Sequence, residues 1–297
     1  MKKALIIGIN YTGSQNQLRG CINDACTIAN LLLANGYSQN DMVVLRDDMG
    51  GMDAPTRNNI LRAMQWLVQG VQPGDSLFFH YSGHGGKVKD LDGDEDDGFD
   101  ECIYPVDFQI AGPIIDDILH DIMVKPLPPN SYLTALFDCC HSGSMLDLPF
   151  MYRATDGGLK EYSVLKTAAP ATMELFMGYT TRNTGQLIEG AKSLFNTATN
   201  YKSTSKRERI KQMKSSPANV ISISGCRDDQ TSADAQMSNQ FAGAMTYAFN
   251  MTIISARQQL TLLTLIQNMR AHLSGKYSQK CQLSTAHQID PNTPFFF

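Results

Sequence analysis

Short apolar runs, separated by segments with helical periodicity, constrain this chain most. Residues 3–9 (KALIIGI), 76–82 (SLFFHYS), 132–139 (YLTALFDC) and 220–224 (VISIS) have strand length and end at turn residues. Between the first two, residues 21–35 carry Ile22, Ala25, Ala29, Leu32 and Leu33 at helical spacing and stop before Gly36. Pro55 opens a second helical stretch, whose Ile60, Met64, Leu67 and Val71 share a face and which ends at Gly74. Shorter strands are expected at 42–45 and 102–106, and a helix at 114–124. Such alternation predicts an α/β fold with a mostly parallel central sheet flanked by helices on both faces. Past residue 155 the pattern is less regular, with helical hints at 173–177 and 186–195 and a polar, basic, exposed stretch at 201–216 (YKSTSKRERIKQMKSS). After the 220–224 strand, helices at 241–254 and 260–273 and a late strand around Gln282 complete the reading. This second half is read as continuing the first within one domain of residues 1–297.

Charge and cysteine usage exclude several classes of function. A net charge of -4 argues against nucleic acid as an obligate partner, which needs a basic surface. No apolar run approaches the ~20 residues of a membrane helix, and the stretch after Lys2 and Lys3 is too short for a signal peptide. Seven cysteines without a CxxC pair or zinc spacing point to free thiols in a reducing compartment, the cytosol.

Sites in open parallel sheets form beyond the carboxyl ends of the strands. Strand 76–82 delivers His84 in GHGG, and strand 132–139 delivers Cys140 in DCCHSGS. A cysteine with an imidazole beside it makes a nucleophile, because the thiolate attacks and the ring takes its proton. Gly83, Gly85 and Gly86 allow close approach of backbone to a substrate, and a free N–H there suits an oxyanion. For His84 alone, an incidental histidine in a strand-end turn is an equal reading; the cysteine motif favours the functional one. Strand parity puts Phe137 and Cys139 on one face, and Asp138 and Cys140 on the other. Cys139 is then the natural buried thiol and Cys140 the better nucleophile.

Residues 90–101 (DLDGDEDDGFDE) hold eight carboxylates in twelve positions. An EF-hand frame fails because Glu95 stands where the sharp turn needs glycine. A solvated acidic loop explains most such runs, but a second cluster at Asp116–Asp117 raises a calcium site built from separate segments.

Together YSGHGG (81–86), DCCHSGS (138–144), CINDA (21–25), GPIIDD (112–117) and TSADA (231–235) resemble the type I metacaspases of fungi, caspase-like cysteine peptidases. The resemblance runs over nearly the whole chain. It implies a caspase-like fold, with His84 and Cys140 as catalytic dyad and the N–H groups of Gly85 and Cys140 holding the oxyanion. It also implies cleavage of proteins and peptides after Arg or Lys, through an acidic S1 pocket of Asp24, Ser82, Asp138 and Asp147. Calcium is the implied activator, matched to Asp100, Asp116, Asp117 and an oxygen of Ser82. Self-processing in the basic linker is implied, with Lys214 as the expected cut between a p20-like part (1–200) and a p10-like part (217–297). Many members carry a Pro/Gln-rich prodomain, whereas the first core strand stands at the start of this chain, so the reading is a peptidase domain without that segment. A monomer serving cell death or protein quality control, in the cytosol and the nucleus, is expected. The rival reading is a non-catalytic caspase-like scaffold that binds aggregated protein.

Overall fold

The computed structural model describes residues 1–89, 99–139, 145–155, 158–162, 212, 214–226, 243–277 and 280–297. Its central sheet has eight strands: β1 (Lys2–Gly8), β2 (Met42–Arg46), β3 (Ser76–Ser82), β7 (Tyr132–Asp138), β8 (Phe150–Thr155), β9 (Gly158–Tyr162), β10 (Asn219–Cys226) and β11 (Lys280–Thr285). They run in the order β2-β1-β3-β7-β10-β11-β8-β9. The five from β2 to β10 are parallel, and the last three join antiparallel.

Alternation along the parallel strands divides the interior into two layers. Leu77, Phe79 and Tyr81 of β3, with Leu133, Ala135 and Phe137 of β7, pack against helices α2 (Arg57–Val68) and α4 (Asp116–Met123). Phe78 of β3 and Leu136 of β7 face the other way, towards α1 (Cys21–Ala34), α5 (Ala244–Ser255) and α6 (Leu262–Leu273). Helices therefore cover both faces, as expected from sequence.

Differences from expectation are local. The buried face of α1 runs through Cys21, Ala25, Ile28, Leu31 and Leu32, so Leu33 is exposed and the stripe is rotated from the one expected. A second, three-stranded antiparallel sheet joins β4 (Gly85–Lys89), β5 (Phe99–Ile103) and β6 (Ile114–Ile115), where one strand at 102–106 was expected. A single-turn helix α3 (Phe108–Ala111) links β5 to β6. Hairpin β8–β9 falls where the sequence looked irregular, because β8 adds to β11 on a sheet edge that no local pattern announces. The helical hints at 173–177 and 186–195 lie outside the described residues. Among the described residues no helix is long and apolar enough to cross a membrane.

At Gly8 the backbones of β1 and α1 approach closely. A Cβ on Gly8 would collide with the Cys21 carbonyl and come within 2.8 Å of Ala25 Cβ. Both contacts are to rigid parts of α1, one turn from Asp24, so neither can yield cheaply. Gly8→Ala is expected to destabilise the protein by about 1–3 kcal/mol, read as a lower midpoint in denaturant; an unchanged midpoint contradicts this packing.

Candidate active site

Parallel pairing of β3 with β7 aligns Ser82 with Asp138 at the carboxyl ends of both strands. The ladder continues one step, with Gly83 N–H donating to the Asp138 carbonyl (3.5 Å). His84 therefore leaves the sheet beside the end of β7, which is followed by Cys139.

Phenols hold the His84 backbone. Tyr81 Oη donates to the His84 carbonyl (2.6 Å), and His84 N–H donates to Tyr11 Oη (3.1 Å). Tyr11 Oη in turn donates to the Tyr104 carbonyl (2.5 Å), and its ring lies 4.7 Å from the imidazole. Tyr11 has a left-handed backbone (φ 51°), uncommon for a bulky side chain and a local strain that the surroundings must hold. Gly83 is required here, because a Cβ would lie 2.7 Å from Tyr81 Oη.

The imidazole is half-buried, and burial lowers its pKa against the opposing pull of a hydrogen bond to Asn16. His84 Nε2 lies 2.7 Å from the Asn16 carbonyl. A carbonyl only accepts, so Nε2 carries the proton and Nδ1 is left as a proton acceptor. Gly85 opens β4 opposite Ile103. Cys140 lies outside the described residues. Its neighbour Cys139 is buried beside Phe137 in the α2–α4 layer, while Asp138 turns to the opposite face.

On that opposite face three of the four residues expected in an S1 pocket meet. Ser82 Oγ donates to Asp24 Oδ2 (2.7 Å). Asp138 Oδ2 accepts the backbone N–H of Thr246 (2.7 Å) at the N-terminus of α5, where the helix dipole favours an anion. Gly243, just before that helix, leaves room for Asp24: a Cβ there would sit 2.9 Å from its Oδ1. Burial, and next the charge of Asp138, push the Asp24 pKa up to about 7 despite the Ser82 hydroxyl. Burial likewise raises Asp138 to about 6, against the donors of Thr246, Met245 and Gly243. Among the described residues Asp138 Oδ1 is buried without a hydrogen bond. Behind the pair, buried His80 reaches Thr246 Oγ1 through Nε2 (3.0 Å), and burial holds its pKa near 3, so the ring is neutral.

Asp147 does not join this group. It lies between Leu146 and Leu148, both packed in the α2–α4 layer, and the Leu146 carbonyl binds Nδ1 of His120 in α4 (2.9 Å). Its carboxylate forms an ion pair with Lys214, and Lys214 Nζ also donates to Asp117 Oδ1 (2.8 Å). Lys214 was expected on an exposed linker. It is only 8% exposed, because two carboxylates compensate its charge.

The expected metal residues are brought together except one. Carboxylate oxygens of Asp100, Asp116 and Asp117 lie within 4.8 Å of one another. Asp116 accepts N–H groups of Glu101 (3.0 Å) and Asp117 (3.1 Å). Burial, reinforced by the charges of Glu101, Asp117 and Asp100, raises its pKa to about 8. Ser82 stays apart: its hydroxyl is used by Asp24 and its carbonyl accepts Ile9 N–H (3.0 Å). The Asn16 carbonyl and the Thr246 amide were missed by sequence reasoning, since a backbone group carries no residue signature.

Comparison with known proteins adds the ancestry of this arrangement. Residues 2–149 match the family described as metacaspase, peptidase C14 domain. Metacaspase-1 of Kluyveromyces lactis is 53% identical over 296 residues, spanning 99% of this chain and 68% of that protein. The chain belongs to the metacaspase family. Metacaspase-1 of Meyerozyma guilliermondii is 54% identical (99% of this chain, 72% of that one), and that of Saccharomyces cerevisiae S288c is 53% identical (99% and 68%). Protein GSU0716 from Geobacter sulfurreducens superposes with a TM-score of 0.57 at 22% identity, covering 98% of this chain and 95% of that one, which is likeness of fold alone. This metacaspase is thus a caspase-like cysteine endopeptidase that acts on protein substrates.

The phenol scaffold around His84 yields a direct test. Tyr11→Phe removes the acceptor of a half-buried backbone N–H and is expected to cost about 1–3 kcal/mol of stability. Thermal unfolding measures it, and an unchanged midpoint would show that the Tyr11 hydroxyl is dispensable.

Proposed function

We propose that this metacaspase is a calcium-activated endopeptidase that cleaves after Arg or Lys, with Cys140 and His84 as its dyad. The observation that carries the specificity is the buried group of Asp24, Ser82 and Asp138 at the ends of β3 and β7. Two buried carboxylates with raised pKa values, that of Asp24 raised further by the charge of Asp138, gain most from a cation. A guanidinium or ammonium at P1 supplies it, and a P1 Asp would add a third negative charge.

In the reaction His84 Nδ1 takes the Cys140 thiol proton, aided by the hydrogen bond that keeps the other ring proton on Nε2. The thiolate attacks the scissile carbonyl, and N–H groups of Gly85 and Cys140 hold the oxyanion. The imidazolium then protonates the departing amine, leaving an acyl-enzyme. Water adds to that thioester with His84 again as base, releasing the new carboxylate and restoring the thiol.

Asp100, Asp116 and Asp117 fit a hard divalent cation: all donors are oxygens, and Asp116 is held near two other carboxylates at a cost in its pKa. Calcium there would neutralise this charge. It takes no part in bond cleavage, since these residues belong to α4 and β5 rather than to the strand ends that carry the dyad. Self-processing after Lys214 completes the reading, and cell death or protein quality control in the cytosol is the context we propose.

The test is hydrolysis of fluorogenic peptides with P1 Arg or P1 Asp, in calcium and in chelator. Activity on Arg with calcium is expected, at least 100-fold above Asp. Cys140→Ala should abolish it and Cys139→Ala should retain it. Preference for Asp overturns the acidic pocket, and the reverse pattern of cysteine variants overturns the dyad.

A further inference from the structure

Lys214 makes a contact that neither catalysis nor substrate binding uses. Its ammonium, in a side chain only 10% exposed, bridges Asp117 of α4 and Asp147 of the segment following the nucleophile motif. The next residue, Ser215, is exposed, and Ser216 is buried at the approach to β10. One lysine thus ties three stretches together: α4, residues 145–149 and the entry to β10.

Asp117 serves two groups. It accepts Lys214 Nζ at 2.8 Å, and it is one of the three carboxylates that lie within 4.8 Å of one another with Asp100 and Asp116. A divalent ion bound at the usual ~2.4 Å from this carboxylate would sit roughly 5 Å from the lysine nitrogen. With Asp100 and Asp116 buried and Asp117 partly so, repulsion between a dication and an ammonium is incompletely screened. The two cations therefore compete for Asp117.

We propose that Lys214 is a built-in counter-cation whose displacement by calcium makes its own peptide bond cleavable. This rests on the calcium and Arg/Lys readings above. In the bridged form the Lys214 side chain is engaged by two carboxylates and is not available to an S1 pocket. With calcium on Asp100, Asp116 and Asp117, the ammonium is repelled, the side chain leaves, and Lys214 can be presented as P1. Hydrolysis then adds water across the Lys214–Ser215 bond, giving a carboxylate on Lys214 and a free amine on Ser215. The cut severs Lys214 from the Ser215–Ser216 entry to β10 that places it between the two acids, so activation is retained.

The experiment uses the full chain carrying Cys140→Ala, which cannot process itself, and calcium chloride as the probe. Calorimetry is run on this parent, on the parent with Lys214→Gln and on the parent with Asp116→Asn. Removing the resident cation is expected to tighten calcium binding at least tenfold, and Asp116→Asn to weaken it at least tenfold. In a second arm, needing no change at Lys214, the parent is treated with trypsin, and the fragment beginning at Ser215 is followed by mass spectrometry. Its rate of appearance should rise at least tenfold with calcium. Equal calcium affinity of the parent and Lys214→Gln, or a calcium-independent cut at Lys214, overturns the interlock while leaving the calcium site standing. Unchanged binding in Asp116→Asn overturns the calcium site itself, and the interlock with it.

Discussion

The in-register parallel pairing of β3 with β7 is the constraint from which the site follows. Aligning Ser82 with Asp138 puts two strand ends, the histidine turn and Cys139 at one edge of the sheet. The same pairing fixes parity. Phe79, Tyr81 and Phe137 fill the layer under α2 and α4, so Ser82 and Asp138 must point to the layer of α1 and α5. Asp24 and Thr246 reach them from those helices. A one-residue slip of β7 would exchange Asp138 for Cys139 and bury a thiol where the carboxylate stands.

Two acidic places result, compensated differently. On the α4 side Asp117 and Asp147 hold a lysine of the same chain. On the α1–α5 side Asp24 and Asp138 are held by a hydroxyl, an amide and a helix N-terminus, with no cation in ion-pair contact among the described residues. Hydrogen bonds and a dipole make a buried carboxylate tolerable without neutralising it. The first place is closed by an internal charge, and the proposed function gives the second an external one. This asymmetry is the physical basis for assigning one to regulation and the other to substrate.

Much of this was legible in the sequence where chemistry and periodicity coincide. The β1, β3 and β7 runs are apolar because both faces are covered, and the burial of Cys139 followed from Phe137 two residues before it. The grouping of Asp24, Ser82 and Asp138 came through family motifs, since nothing local joins residues this far apart. Other features had no local signal. The partner of Asp147 depends on where His120 anchors the Leu146 carbonyl. Lys214 sits in a basic stretch whose composition reads as solvated, and only tertiary placement between two acids buries it. The Asn16 carbonyl that sets the His84 tautomer is backbone, invisible to any residue pattern.

In the proposed function Asp24 and Asp138 await a positive charge from the substrate. Linked proton release tests it most directly. Burial raises the pKa of Asp24 and of Asp138, so near pH 6.5 the pair holds part of a proton, and a guanidinium beside it would favour its release. Cys140→Ala protein in calcium is titrated with a peptide carrying P1 Arg and with its neutral citrulline analogue, by calorimetry in buffers of different ionisation enthalpy. Net proton release on binding the Arg peptide is expected, with none for citrulline. Equal binding of both peptides with no proton released would contradict the account.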